Sequence, residues 1–159
     1  MTGDLIEVWR VHDQINFYLL EHIPDHGLEA VTLLKNGQPS TGRNVARIFA
    51  HMHDVRVMTL GRDFRKGVPR FPAGAVPGRK ELQVALRASS HAVEGRLGRL
   101  IERGERIKDR PGVILLGYLI AHESHHRGQL VLALKQSGVR MPEEARYGIW
   151  SHWFRPGLP

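Results

Sequence analysis

The sequence contains no cysteine, which excludes disulfides, thiolate nucleophiles, iron–sulfur clusters and cysteine zinc fingers. Any metal held by this chain must therefore sit on His, Asp or Glu. No apolar run reaches the ~18 residues needed to span a bilayer. The N-terminus, MTGDLIEVWR, carries acidic residues and lacks the basic, apolar and small-residue order of a signal peptide. A cytoplasmic protein without membrane association is expected. Internal repeats and low-complexity tracts are also missing. The 159 residues, 42% of them hydrophobic, fit one domain, residues 1–159, closed around a single apolar core.

The formal charge of +7 raises nucleic acid as a partner, because clustered Lys and Arg release counterions from phosphate backbones. Here the basic residues are scattered. Local groups occur only at Arg62, Arg65 and Lys66 and at Arg103, Arg106, Lys108 and Arg110, in loop-like segments beside acidic residues. A solvated surface is the better reading, and nucleic acid is not an expected partner. The ten histidines are more telling. His51, His53, His122, His125 and His126 fall in two tight groups.

Residues 4–22 repeat apolar side chains at three- and four-residue spacing, through Leu5, Val8, Trp9, Ile15 and Leu19, and predict a first helix. After Pro24, a short helical piece is expected over residues 28–34. Ser40 or Thr41 would cap a second helix over residues 43–60, with Val45, Ile48, Phe49, Met52 and Val55 on its apolar face and Gly61 as its stop. Residues 67–78, rich in Pro and Gly, read as a long crossover. A third helix follows over residues 80–103, and a fourth from Asp109 as N-cap, with Pro111 in its first turn, to Gln136. Residues 142–153 predict a short terminal helix carrying Tyr147, Ile149, Trp150 and Trp153. Four long helices and no convincing strand give an all-α, up-down-type four-helix bundle, in which cofactors sit between inward-facing side chains.

The fourth helix contains Ala121-His122-Glu123-Ser124-His125-His126-Arg127-Gly128-Gln129. At 100° per residue His122 and His126 stand on one face, where two imidazole nitrogens can meet one ion at ~2.0–2.1 Å. Burying bare imidazole is costly, so the pair must either bind something or hydrogen-bond within the core, and a bound divalent metal is the favoured reading. The same residues spell H-E-x-x-H, the zincin pattern of two zinc ligands and a general base. Against a protease stand the missing upstream sheet edge and the short tail, in which Glu143, Glu144 and His152 are the only candidate third ligands. Glu123 points about 100° away from His122 and reads as an exposed or outer carboxylate. The third ligand is expected from the second helix, where His51 and His53 flank the apolar stripe on opposite sides and spacing does not choose between them. His125 lies off the face of the pair. His12 and Asn16 can approach from the first helix.

The segments around Ala50-His51-Met52-His53-Asp54-Val55-Arg56 and Tyr118-Leu119-Ile120-Ala121-His122-Glu123-Ser124-His125-His126-Arg127-Gly128-Gln129 resemble the DinB family, also called DinB/YfiT-like proteins. The resemblance implies a four-helix bundle with one metal ion, zinc or nickel in most cases and iron as a further candidate, on positions that fall on His51, His122 and His126. It also implies a metal-dependent transferase or hydrolase, with a small-molecule substrate and a low-molecular-weight thiol as partner, and a homodimer, to which the aromatic tail adds weight. A noncatalytic metal-stabilised dimer is the alternative. Arg127 is a candidate for orienting an anionic cosubstrate.

Overall fold

The computed structural model describes residues 2–155. Helix α1 spans Thr2–His22 and buries Trp9, Ile15 and Leu19 as the spacing predicts, together with Ile6 and Leu20, while Leu5 and Val8 are half-buried. The helical piece expected at residues 28–34 is instead a 3-10 turn at Asp25–Glu29 followed by extended chain, in which Leu33 pairs with Pro39. The reason is local: Gly37 takes a left-handed φ of 79° and folds the chain back on itself.

Helix α2, Val45–Thr59, starts later than Ser40 or Thr41 would place it. Its cap is Asn44, whose side-chain oxygen accepts from the Arg47 amide at 2.9 Å. A short helix α3, Arg62–Arg65, opens the crossover, and α4 covers Arg79–Glu102. A two-residue hairpin comes next, β1 at Arg106–Ile107 and β2 at Arg110–Pro111. It displaces the expected start of the fourth helix. Lys108 and Asp109 both adopt left-handed backbone, with φ of 46° and 62°. They form the tight turn that matches the strand twist, so Asp109 is a turn residue and Pro111 a strand residue. Helix α5 then runs Val113–Gln136, and α6 occupies Glu143–Ser151. Only glycine fits at 112, because a Cβ there would lie 2.6 Å from Leu100 Cβ.

Two apolar clusters fill the bundle. One joins Ile15, Leu19 and Leu20 of α1, Ile48, Phe49 and Met52 of α2, Leu82 and Leu86 of α4, and Leu130, Ala133 and Leu134 of α5. The other joins Ile6 and Trp9 of α1, Val55 of α2, Val93, Leu97 and Leu100 of α4, and Leu115, Leu116 and Leu119 of α5. The order of these residues fixes chain direction. Helices α1 and α5 run from the second cluster to the first, whereas α2 and α4 run the opposite way. Hence α1–α2 and α4–α5 are antiparallel pairs, and the crossover must carry the chain back along the bundle to start α4. Between the clusters lies a layer of buried polar side chains, including His12, Asn16, Arg56, Ser89 and Glu123. The metal-ligand candidates sit beside this layer. Among the described residues, no helix is long and apolar enough to cross a membrane.

Candidate metal centre

Helix α2 enters the bundle with Ile48, Met52 and Val55 inward, which leaves His51 half-buried at the edge facing α5. On α5, His126 is buried and His122, one turn earlier, is half-buried on the same side. These three histidines converge. Their ligand nitrogens all lie within 4.8 Å of one another, and His122 Nε2 and His126 Nε2 are 3.1 Å apart. The His51 ring centroid is 4.7 Å from that of His126 and 5.3 Å from that of His122. Two nitrogens bound tetrahedrally at ~2.0–2.1 Å would lie about 3.3 Å apart, so the helix pair already has the required spacing.

The neighbours of the cluster present its nitrogens in the right form. Gln129 donates through Nε2 to His125 Nε2 at 2.9 Å, which turns its Oε1 toward His126 Nδ1 at 2.8 Å. His126 must then carry its proton on Nδ1 and keep a lone pair on Nε2, the orientation that an outer hydrogen-bond partner imposes on a ligating histidine. His122 Nδ1 is enclosed with no hydrogen-bond partner among the described residues. All of that ring's polar contact is therefore on its Nε2 side, where the other imidazoles lie. Burial and the Arg43 charge push His51 down to about 4, with smaller contributions from the two other histidines. Burial likewise lowers His122 and His126. Neutral imidazoles with converging lone pairs fit a divalent cation.

Glu123 stands elsewhere than expected. It is wholly buried in the polar layer, not exposed. Its Oε1 accepts from Arg56 Nε at 2.7 Å, and its Oε2 accepts from Arg56 Nη2 at 2.8 Å, Asn16 Nδ2 at 2.7 Å and His12 Nε2 at 3.0 Å. Burial alone would raise its pKa. The charge and hydrogen bonds of Arg56, aided by His12, outweigh that and hold the carboxyl well below the usual range. Arg56 is itself wholly buried, and it reaches the Leu86 carbonyl of α4 and lies 2.7 Å from Asp13 of α1. One guanidinium thus ties α2 to the other three long helices.

This geometry gives the protease reading no support. A general base needs a carboxylate free to take a proton, whereas both oxygens of Glu123 are occupied and the group is held as an anion against Arg56. His53 is excluded from the cluster as well. Its Nε2 donates to the Pro69 carbonyl at 2.8 Å and its ring meets Phe71 edge-on, so it fastens the crossover to α2. His12 and Asn16 do approach α5, but at Glu123. Arg127 is not a free cation, since it donates to Asn16 Oδ1 at 2.9 Å, to Ser124 Oγ at 2.7 Å and toward His12 Nδ1 at 3.3 Å. His125 lies off the cluster, as its wheel position predicts.

The residue that sequence reasoning passed over is Arg56. A signal was present, because Arg56 follows Met52 by four residues and continues the apolar stripe of α2. Glu123 continues the α5 stripe Leu116, Leu119, Leu130 in the same way. Two opposite charges on two inward stripes are a signature of a buried pair.

The DinB family model matches residues 75–155, about half of the chain, including α4, α5 with His122 and His126, and α6. The chain belongs to the DinB family. This agrees with the resemblance of the two histidine segments and with the helical bundle. Among curated proteins, none matches the chain. His51, which completes the cluster, lies outside the matched span of this DinB protein, so its inclusion rests on the geometry of α2 against α5.

Proposed function

We propose that this DinB protein is a metal-dependent enzyme, a transferase or hydrolase acting on a small molecule with a low-molecular-weight thiol as cosubstrate. Zinc or nickel is the ion proposed, with iron as the further candidate, on His51, His122 and His126. The carrying observation is the convergence of three neutral imidazoles from two helices, with Gln129 fixing the tautomer of His126. When bound, a divalent ion on three histidines keeps an open position and lowers the pKa of a thiol or water there. The chain's own residues support an anionic, nucleophilic partner. No carboxylate belongs to the cluster, and the charge of Glu123 is balanced internally by Arg56. Arg43 adds positive potential that reaches all three rings. Tyr118, exposed and stacked on His122 at 5.7 Å between centroids, walls one side of the opening.

The test is to load the protein with cobalt(II) and titrate glutathione while recording the near-ultraviolet spectrum. The proposal predicts a thiolate-to-metal charge-transfer band that saturates at one thiol per metal. An unchanged spectrum with fully loaded protein would leave the metal and remove the thiol.

A homodimer is the proposed assembly, and α5 supplies its surface. Over 24 residues this helix has only Glu123, Arg127 and Lys135 as charged groups, and the first two turn inward. Its outer face carries Ile114, Gly117, Tyr118, Ala121, Gly128 and Leu132, all exposed, with His125 among them and Lys135 at its C-terminal end. An apolar outer face is unusual for a surface helix. On a chain of net charge +7 its first five turns, which carry no outward Lys or Arg, are a place where a second copy can approach with little like-charge repulsion. Ala121→Glu is expected to give a monomer by sedimentation where the wild type is dimeric. A wild type that is monomeric at micromolar concentration contradicts this assembly. Such a dimer without turnover would be the noncatalytic alternative. A cytoplasmic location accompanies the proposal.

A further inference from the structure

At the end of the bundle, the last turns of α5, the link over residues 137–142 and α6 enclose a groove of about 710 Å³. Its floor is apolar. Leu134 is buried, and Val139 and Met141 pack against the first core cluster, so the floor is fixed by the same contacts that close the bundle. Its rim is basic, made by Lys135, Arg140 and Arg146, all exposed. No carboxylate lines it, although Glu143 and Glu144 lie in the same turn as Arg146.

Some basic residues of this surface are paired. Arg10 is paired with Glu94, Arg79 with Asp25, and Arg99 with Asp63 and Glu105. Lys135, Arg140 and Arg146 have no ion pair or side-chain hydrogen bond among the described residues. Part of their placement suits the carbonyl end of α5, which favours nearby cations. That end carries about half a charge, and three full charges exceed what it needs. The groove is also separate from the histidine cluster, since Lys135 faces about 180° around α5 from His126.

We infer that this groove binds a free, single-chain amphiphile with a carboxylate head, its tail on Leu134, Val139 and Met141 and its head on Arg140 and Arg146. The volume lies in the range of ~300–1,000 Å³ typical of sites for single small molecules. Apolar floor and basic rim match the two ends of such a ligand, and arginine forks suit a carboxylate. The floor side chains Leu134, Val139 and Met141 are recessed, which suits a single tail lying in the groove, while Val131 on its α5 wall is exposed.

The test is calorimetric titration of the full chain with decanoate below its micellar concentration. The expected result is saturable binding of one decanoate per chain. Arg140→Gln/Arg146→Gln should weaken it by about tenfold or more, the equivalent of one lost charge-assisted bond or two. Val131→Trp, which fills the groove from α5, should abolish it with the thermal unfolding profile retained. Decyltrimethylammonium, with the same tail and opposite head, should bind at least tenfold more weakly, and acetate should not bind. Equal binding of both decyl probes overturns the inference, as does an affinity unaffected by the arginine substitutions. Absence of decanoate binding, with or without binding to phosphatidylglycerol vesicles, also overturns it, and vesicle binding would mark the rim as a membrane contact instead. The arginine pair is exposed, so its substitution keeps the test valid even if the tryptophan variant fails to fold.

Discussion

Arg56→Met is expected to lose about 3–5 kcal/mol of folding stability at neutral pH, a cost typical of stripping one partner from a buried ion pair. Arg56 and Glu123 are both wholly buried and joined by two hydrogen bonds of 2.7 and 2.8 Å. Methionine keeps much of the volume but leaves the carboxylate without its guanidinium counter-charge at the centre of the bundle, held only by Asn16 and His12. Glu123→Leu should cost a similar amount, because Arg56 would then face only Asp13. Replacing both should cost less than the two single losses together, by about 0.5–3 kcal/mol, since the double variant buries neither of the two charges alone. Urea unfolding checks this through a lower midpoint at unchanged slope. Single losses under ~1 kcal/mol that simply add would show that water reaches the polar layer and that the pair does not hold the helices in register.

The second large effect concerns metal. His51→Ala, and His122→Ala with His126→Ala, should abolish uptake of one zinc or nickel ion per chain, because two imidazoles or one no longer enclose the ion. His53→Ala should keep it, since His53 is engaged with the Pro69 carbonyl and lies outside the cluster. Gln129→Ala should retain the ion with an affinity weakened by about 10–100-fold, the usual result of removing a partner that orients a ligand. Folding stability should follow. Metal that binds the folded chain alone adds about 2.7 kcal/mol at a hundredfold excess over its dissociation constant, and the cluster variants should show no such increment.

These two predictions draw on residues that the sequence reveals unequally. The four long helices were legible from apolar spacing, and Ile15, Leu19, Ile48, Met52, Leu86, Val93 and Leu97 are buried where that spacing places them. His122 and His126 were legible because a helix puts residues four apart on one face. The start of α5 was not, since Asp109 and Pro111 suit a helix N-terminus as well as they suit the hairpin that forms. Choosing His51 over His53 depends on the Pro69 carbonyl, which the crossover brings to His53 from sixteen residues away and which no local pattern reports. Glu123 is not legible from the histidine pair, which suggests an inward face centred on His122 and His126. His122 lies at the edge of the buried face, and Glu123 lies on the line of Leu116, Leu119 and Leu130. Arg127 is likewise fixed by another helix, since its partners Asn16 and His12 belong to α1.

The central claim is that His51, His122 and His126 hold one divalent ion. Its most direct test is elemental analysis of untagged protein, purified without a metal-binding affinity step, for the wild type, His51→Ala, His53→Ala and the His122→Ala/His126→Ala double variant. The expected result is one zinc or nickel per chain in the wild type and in His53→Ala, and none in the other two. A wild type that carries no metal and takes up neither zinc nor nickel when either is supplied would contradict the claim and make the cluster a polar feature of the core.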